Sequence, residues 1–198
     1  MKVTLRSTDP LLSGYYTGAG LLCLDFVNTV DWRTSDRAAE FLTGGDAVDA
    51  WLALTLDRPP LHLADSAVAG LRDLREALYR LITGTARSGD LEALNRALAQ
   101  GGDRAHLTEG PDGYRWAPAE DAAGLAVLKA ELARDAADLL VDPARLAKVK
   151  ECHGEGCGWL FLDESRGGTR RWCSMQSCGN RAKARAHYRR AKGTAVDA

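Results

Sequence analysis

The sequence predicts a mainly α protein (α+β): a helical body with one small hairpin, then a treble-clef-like zinc module built from a β-hairpin and a basic helix. Three observations predict it. Apolar residues recur at helical spacing in several stretches before residue 142. Four cysteines, Cys152, Cys157, Cys173 and Cys178, form two pairs in the pattern C-x4-C-x15-C-x4-C. The chain after Cys178 is cationic, alanine-rich and free of proline, which is a helix pattern. Composition shifts near residue 142 without a flexible linker, dividing the chain into residues 1–142 and 143–198, and the second part is expected to pack against the first.

Within the body, residues 3–6 read as a short strand and residues 7–20 as a loop punctuated by Pro10, Gly14, Gly18 and Gly20. LLCLDFVNTV, from Leu21, places Leu22, Phe26 and Thr29 at helical spacing and reads as a buried helix. Asp25 and Asn28 are embedded in it. They either bond neighbouring backbone, as buried polar groups must, or face a ligand pocket. Cys23, alone among apolar residues, is expected to be a small core residue. Residues 36–42 and 46–56 read as two short helices broken by Gly44-Gly45, with Val48, Trp51, Leu52 and Leu56 on one face of the second.

Pro59-Pro60 then forces a loop. Ser66 is the expected N-cap of a helix running to about residue 85, striped by Val68, Leu71, Leu74, Leu78, Leu81 and Ile82. A helix over residues 91–100 follows, ended by Gly101-Gly102. Residues 106–108 and 114–116, around Gly110-Pro111-Asp112-Gly113, predict a hairpin. A longer helix spans residues 119–140, striped by Leu125, Leu128, Leu132, Ala136, Leu139 and Leu140, and Asp142-Pro143 ends it. Residues 145–150 bridge into Cys152, as a strand that the zinc hairpin extends.

Two short loops carrying four thiolates can close a tetrahedron around Zn²⁺, which has no geometric preference of its own. Paired disulfides are the alternative. Nothing in the sequence points to an oxidising compartment, and in a reducing one clustered thiols bind metal. Trp159-Leu160-Phe161-Leu162 and Arg170-Arg171-Trp172 flank a Gly167-Gly168 turn, which predicts a hairpin bringing Cys157 to Cys173 with Trp159 and Trp172 over the metal. His153 and His187 are not needed as ligands. The basic helix of residues 181–192 holds Arg181, Lys183, Arg185, Arg189, Arg190 and Lys192 and no acid, with Ala184, Tyr188 and Ala191 as an apolar strip that could pack on the finger.

The charge is divided along the chain. Residues 150–192 hold ten Lys/Arg against four Asp/Glu, a net of +6, whereas residues 1–149 hold 16 against 22, a net of −6. A basic module on an acidic body predicts a polyanion partner at one end, DNA or alternatively RNA, contacted by the six basic side chains of the helix together with Arg170 and Arg171. No apolar run approaches the ~20 residues that span a bilayer. MKVTLRSTDPLLSGYY lacks the apolar core of a signal peptide, so a cytoplasmic location is expected. No nucleophile motif, HExxH, phosphate-binding glycine loop or dinucleotide fingerprint is present, so no enzyme is expected unless Asp25 and Asn28 line a pocket.

Arg171-Trp172-Cys173-Ser174-Met175, followed by Cys178-Gly179-Asn180-Arg181 and Lys183, resembles the CGNR-type zinc finger of bacterial regulators. Proteins of that family carry an N-terminal, mainly helical ABATE domain, and Leu24-Asp25-Phe26-Val27-Asn28-Thr29 looks like its opening motif. The resemblance implies a stress-induced transcription regulator with one structural zinc. In such a protein the finger would contact DNA, and the helical domain would sense an effector or form a homodimer.

Overall fold

The computed structural model describes residues 6–101, 105–110, 113–118 and 124–193. Of the strand expected at residues 3–6, only Arg6 is among them; it makes an isolated antiparallel bridge with Tyr16. A 3-10 turn at Pro10–Leu12 leads into α1 (Leu22–Val27), all six residues of which are buried. Around this short helix the rest is laid. After β1 (Val30–Asp31) and β2 (Ala39–Glu40) come α2 (Gly45–Leu56), α3 (Asp65–Ile82) and α4 (Asp90–Gly101). The antiparallel pair β3 (Ala105–Gly110) and β4 (Gly113–Pro118) precedes α5 (Leu125–Leu140) and the single turn α6 (Pro143–Leu146). The zinc module follows: β5 (Val149–Glu151), β6 (Leu160–Leu162), a π-helical turn at Met175–Gly179 and α7 (Asn180–Gly193).

The stripes expected on α2, α3 and α5 face one contiguous core. Trp51, Val68, Leu71, Leu78, Leu132 and Leu139 are fully buried, and α3, α5 and β6 all contact α1. Polar groups inside it are partnered. The Tyr15 hydroxyl donates to the Asp25 carbonyl at 2.6 Å and accepts from Trp51 Nε1 at 2.9 Å. Burial drives its pKa well above the usual phenol value. Cys23 is a core residue, its backbone N–H bonded to Asp135 Oδ2 of α5 at 2.7 Å.

The strand expected at residues 145–150 begins only at Val149, because Asp142 caps the turn α6 before it; three further expectations of local structure fail, each for a tertiary reason. Residues 36–42 are not a helix: Ala39 and Glu40 pair with Asp31 and Val30. The extended segment carries the Glu40 carboxylate to Arg75 of α3, which binds it with two hydrogen bonds of 2.6 and 2.7 Å while buried itself. Ser66 does not cap α3, which starts at Asp65; the Asp65 carboxylate instead accepts the Gly45 N–H at 2.8 Å, joining the starts of α2 and α3. The third is in the finger. β6 pairs with β5, in the register Val149↔Leu162 and Glu151↔Leu160, and not with residues 170–172. Buried Asp163, just past β6, accepts hydrogen bonds from Lys150 Nζ, Ser165 and the Arg170 N–H. The loop therefore closes around a carboxylate instead of running as a ladder. Residues 119–123, assigned from sequence to the start of α5, lie outside the described residues.

Candidate metal centre and cationic helix

The first cysteine pair sits in the loop between β5 and β6. Cys152 N–H donates to Trp159 O at 2.8 Å, Cys157 N–H to Gly154 O at 2.9 Å, and Gly154 N–H to Cys152 Sγ at 3.3 Å. Gly154 must be glycine, because a Cβ there would stand 2.7 Å from Cys178 Sγ. The second pair is formed by Cys173, whose N–H reaches Cys152 Sγ at 3.2 Å, and Cys178, delivered by the π-helical turn. The wider π turn adds a residue without breaking the helix that follows.

The four sulfurs lie within 4.8 Å of one another, with Cys157–Cys173 at 3.8 Å and Cys173–Cys178 at 3.5 Å. A tetrahedron of ~2.3 Å Zn–S bonds has edges of about 3.8 Å, so the cluster fits one zinc ion. A disulfide needs S–S near 2.05 Å, and all five cysteines are free. Two backbone N–H groups and one guanidinium point at the sulfurs, as suits a thiolate-rich site. The Cys178 thiol is held far below the usual range, first by hydrogen bonding from Cys152, then from Cys157 and Cys173, with Arg181 assisting.

Two family models match the chain. One, described as ABATE, Putative stress-induced transcription regulator, covers residues 20–143. The other, the CGNR zinc finger, covers residues 148–191. The chain belongs to the ABATE family. A search of curated proteins gave no match. In this ABATE chain the finger carries one structural zinc, with Cys152, Cys157, Cys173 and Cys178 as its donors.

The finger is anchored in the ABATE body at several points. Asn28 forms a two-bond pair with Leu160, Nδ2 to carbonyl and N–H to Oδ1, both at 2.8 Å, so its amide acts as one more rung beside β6. Asp25 Oδ1 accepts the Gly18 and Ala19 N–H groups at 2.9 Å, and Ala19 O accepts Leu162 N–H at 2.8 Å. Both embedded polar residues are buried and take the backbone role, and the cavity beside Asn28 is about 10 Å³, room for one water at most. Trp159, expected over the metal, is turned into the body, its Nε1 bonded to Val30 O at 2.8 Å.

The basic side chains divide into two sets. Arg170 is turned inward, over the Phe161 ring at 4.3 Å and onto the carbonyls of Trp172 and Cys173. Arg181 donates to Cys178 Sγ at 3.0 Å and stacks on Trp32 at 4.4 Å. Arg185 pairs with Glu155 at 2.6 Å. By contrast Arg171, Lys183, Arg189, Arg190 and Lys192 are exposed. The expected apolar strip does not pack: Ala184 is exposed and Tyr188 is 60 % exposed, so α7 projects past its first two turns. His153 accepts from Arg171 Nε at 3.3 Å and does not join the cysteine cluster.

Trp32 is the residue that sequence reading passed over. Its ring is flanked at 4.4 Å by both Arg37 and Arg181, joining the body to the helix. The only local signal is an isolated tryptophan in a polar stretch, Asp31-Trp32-Arg33-Thr34-Ser35.

Proposed function

We propose that this chain regulates bacterial transcription by binding DNA, with the zinc module presenting α7 to the phosphate backbone. The observation that carries this reading is the division of the cations on α7. That helix has six Lys/Arg and no acid. Arg181 and Arg185 fix it to the metal site and the first cysteine loop, while Lys183, Arg189, Arg190 and Lys192 stand on its exposed surface. A helix held at its N-terminal end and charged beyond it suits phosphate contact, and arginine also reads guanine in the major groove. Exposed Arg171 adds a contact at the finger's edge. Arg170 does not, since its guanidinium is engaged by backbone carbonyls.

In this reading the zinc is structural, because four protein ligands leave no position for water or substrate, and the chain acts by binding rather than catalysis. No helix among the described residues is long and apolar enough to cross a membrane. Cysteines that form no disulfide suit the reducing cytoplasm. Residues 1–142 supply effector sensing or dimerisation, and a homodimer would read a palindromic site.

The test is binding of genomic DNA fragments to the zinc-loaded protein across a salt series. Four to five phosphate contacts give a slope of log Kobs on log[salt] near −4. Replacing Lys183, Arg189, Arg190 and Lys192 with alanine should bring the slope to about −1. An unchanged slope, or no binding by the unaltered protein, overturns the proposal.

A further inference from the structure

A cleft of about 480 Å³ is formed by residues 169–176, where the second cysteine loop curls before α7. Trp172 and Met175 give it an apolar wall, and Met175 is 49 % exposed although the metal site makes no use of it. The wall is built rather than loose. Trp172 packs against the core cluster and meets His153 edge-on, with ring centroids at 6.1 Å. A Cβ on Gly179 would stand 2.7 Å from Met175 Sδ and 3.3 Å from Trp172 Cδ1, so these two side chains close over that glycine. The rim is polar and cationic: it includes Ser174, Gln176 and Arg171, whose guanidinium lies over the Trp172 ring at 5.3 Å from its centroid, where it can meet the phosphate of a base held beside it. Inward-turned Arg170, bonded to Trp172 O, stiffens the floor.

We infer that this cleft takes a nucleobase freed from its stack, in the nucleic acid whose phosphates α7 contacts. The inference rests on that reading. An aromatic face is the common receptor for an unstacked base, because every base has a π-face and stacking tolerates any sequence. The charge around the cleft selects the occupant. A peptide segment would meet the same apolar wall, but the cation rim and the exposed cations of α7 complement a polyphosphate chain. Base and phosphate would be bound together, the base on Trp172 and its own or the neighbouring phosphate on Arg171. The protein would therefore hold single-stranded or locally opened nucleic acid more tightly than a closed duplex of unselected sequence. The base could come from DNA or from RNA, since the stacking chemistry is shared.

The experiment uses the full zinc-loaded chain and four probes: a 12-nucleotide single-stranded DNA, the RNA of the same sequence, the perfect DNA duplex, and that duplex with one unpaired central base. The single strands and the bulged duplex are expected to bind more tightly than the perfect duplex, and the tighter single strand identifies the source of the base. Trp172→Ala should lose about tenfold on the single strands and the bulge, within the range that aromatic truncation gives, and less than about twofold on the perfect duplex. Trp172→Phe should recover most of the loss. Should Trp172→Ala not retain one zinc per chain, Met175→Ala removes the other wall and reads the same preference. A Trp172→Ala protein that keeps its zinc and binds every probe like the unaltered chain overturns the cleft and leaves the phosphate reading standing. Failure of the unaltered protein to bind any probe removes both. Concentration-dependent self-association abolished by Trp172→Ala would assign the cleft to a second copy of this chain, and the inference would fall.

Discussion

The two cysteine pairs have the same spacing in the sequence and are held in opposite ways. The first is welded to the body by the backbone. Arg33 N–H donates to Cys157 O at 3.1 Å and Thr34 N–H to Gly156 O at 3.3 Å, while β6 beside it is buried throughout. The second pair has no such attachment: among the described residues, no backbone hydrogen bond joins residues 173–193 to residues 6–142. Its ties are made by side chains: the sulfurs themselves, the Arg170 guanidinium on Cys173 O, the packing of Cys173 on the core, Arg181 against Trp32 and Asp31, and the exposed Arg185–Glu155 pair, of a kind worth roughly 0–1 kcal/mol. The metal's work is therefore concentrated on one side. It fastens the second loop and α7 to a first loop that the body already holds.

The largest effect should follow from cutting the metal link. Cys173→Ser, or chelation, removes a centre worth about 10–16 kcal/mol in zinc-finger peptides. Protease sites and fast amide exchange should appear across residues 170–193, while β5, β6 and the helices before residue 142 stay protected. Uniform loss of protection along the chain would break the comparison, and so would retention of one zinc with α7 unaltered.

A change in the first loop should spread further through the molecule. Gly158 has φ +67°, and a Cβ there would stand 2.9 Å from Thr34 Cγ2 and 3.0 Å from Arg33 Cβ. Gly158→Ala combines backbone strain with that contact, so a loss of about 1–3 kcal/mol is expected in the cooperative unfolding of the whole chain. Thermal unfolding followed by helical circular dichroism measures it. A midpoint unchanged from the parent would mean that the first loop is not welded to the body.

Trp32→Ala sharpens the other side. Removing a ring flanked by two guanidiniums should cost about 0.5–2 kcal/mol, confined to the docking of α7. Amide exchange in residues 180–190 should quicken several-fold, with α3 and α5 unaffected and zinc retained. Equal exchange rates in the variant and the parent would show that the stack holds nothing.

These differences separate what the sequence carries from what it cannot. Cysteine spacing, the leucine stripes of α3 and α5, the Pro-Gly hairpin turn and the basic run after Cys178 are local patterns, and each led to the right element. Local patterns do not state pairing. Residues 159–162 and 170–172 look like partners because a Gly-Gly turn lies between them, yet Asp163 gathers that turn around its carboxylate and β5 takes the ladder instead. Residues 36–42 have a helix-like composition, and the Glu40–Arg75 bond overrides it. The division of the arginines was equally hidden: Arg181 and Arg189 are alike in sequence, and only a thiolate and Trp32 beside the first distinguish them. Asn28 shows the same limit, since its partner Leu160 is 132 residues away.

The last effect is electrostatic, lies in the body alone, and is the smallest for the metal module. Asp90, the first residue of α4, has its pKa drawn down to about 2, chiefly by hydrogen bonds from Arg80 and then from the Arg87 N–H. A carboxyl whose pKa is lower folded than unfolded favours the folded state whenever it is ionised. The contribution is therefore complete above its ordinary value near 4 and is lost as the pH falls through about 2. Asp90→Asn removes that dependence. Its stability should fall below the parent's at neutral pH and converge with it as the pH approaches 2, read as denaturant midpoints along a pH series. Because Asp90 sits far along the chain from either cysteine loop, zinc content and protection of α7 at neutral pH should match the parent's. A variant that loosens α7 while keeping its metal would show that the body and the second loop are coupled by more than zinc and Trp32.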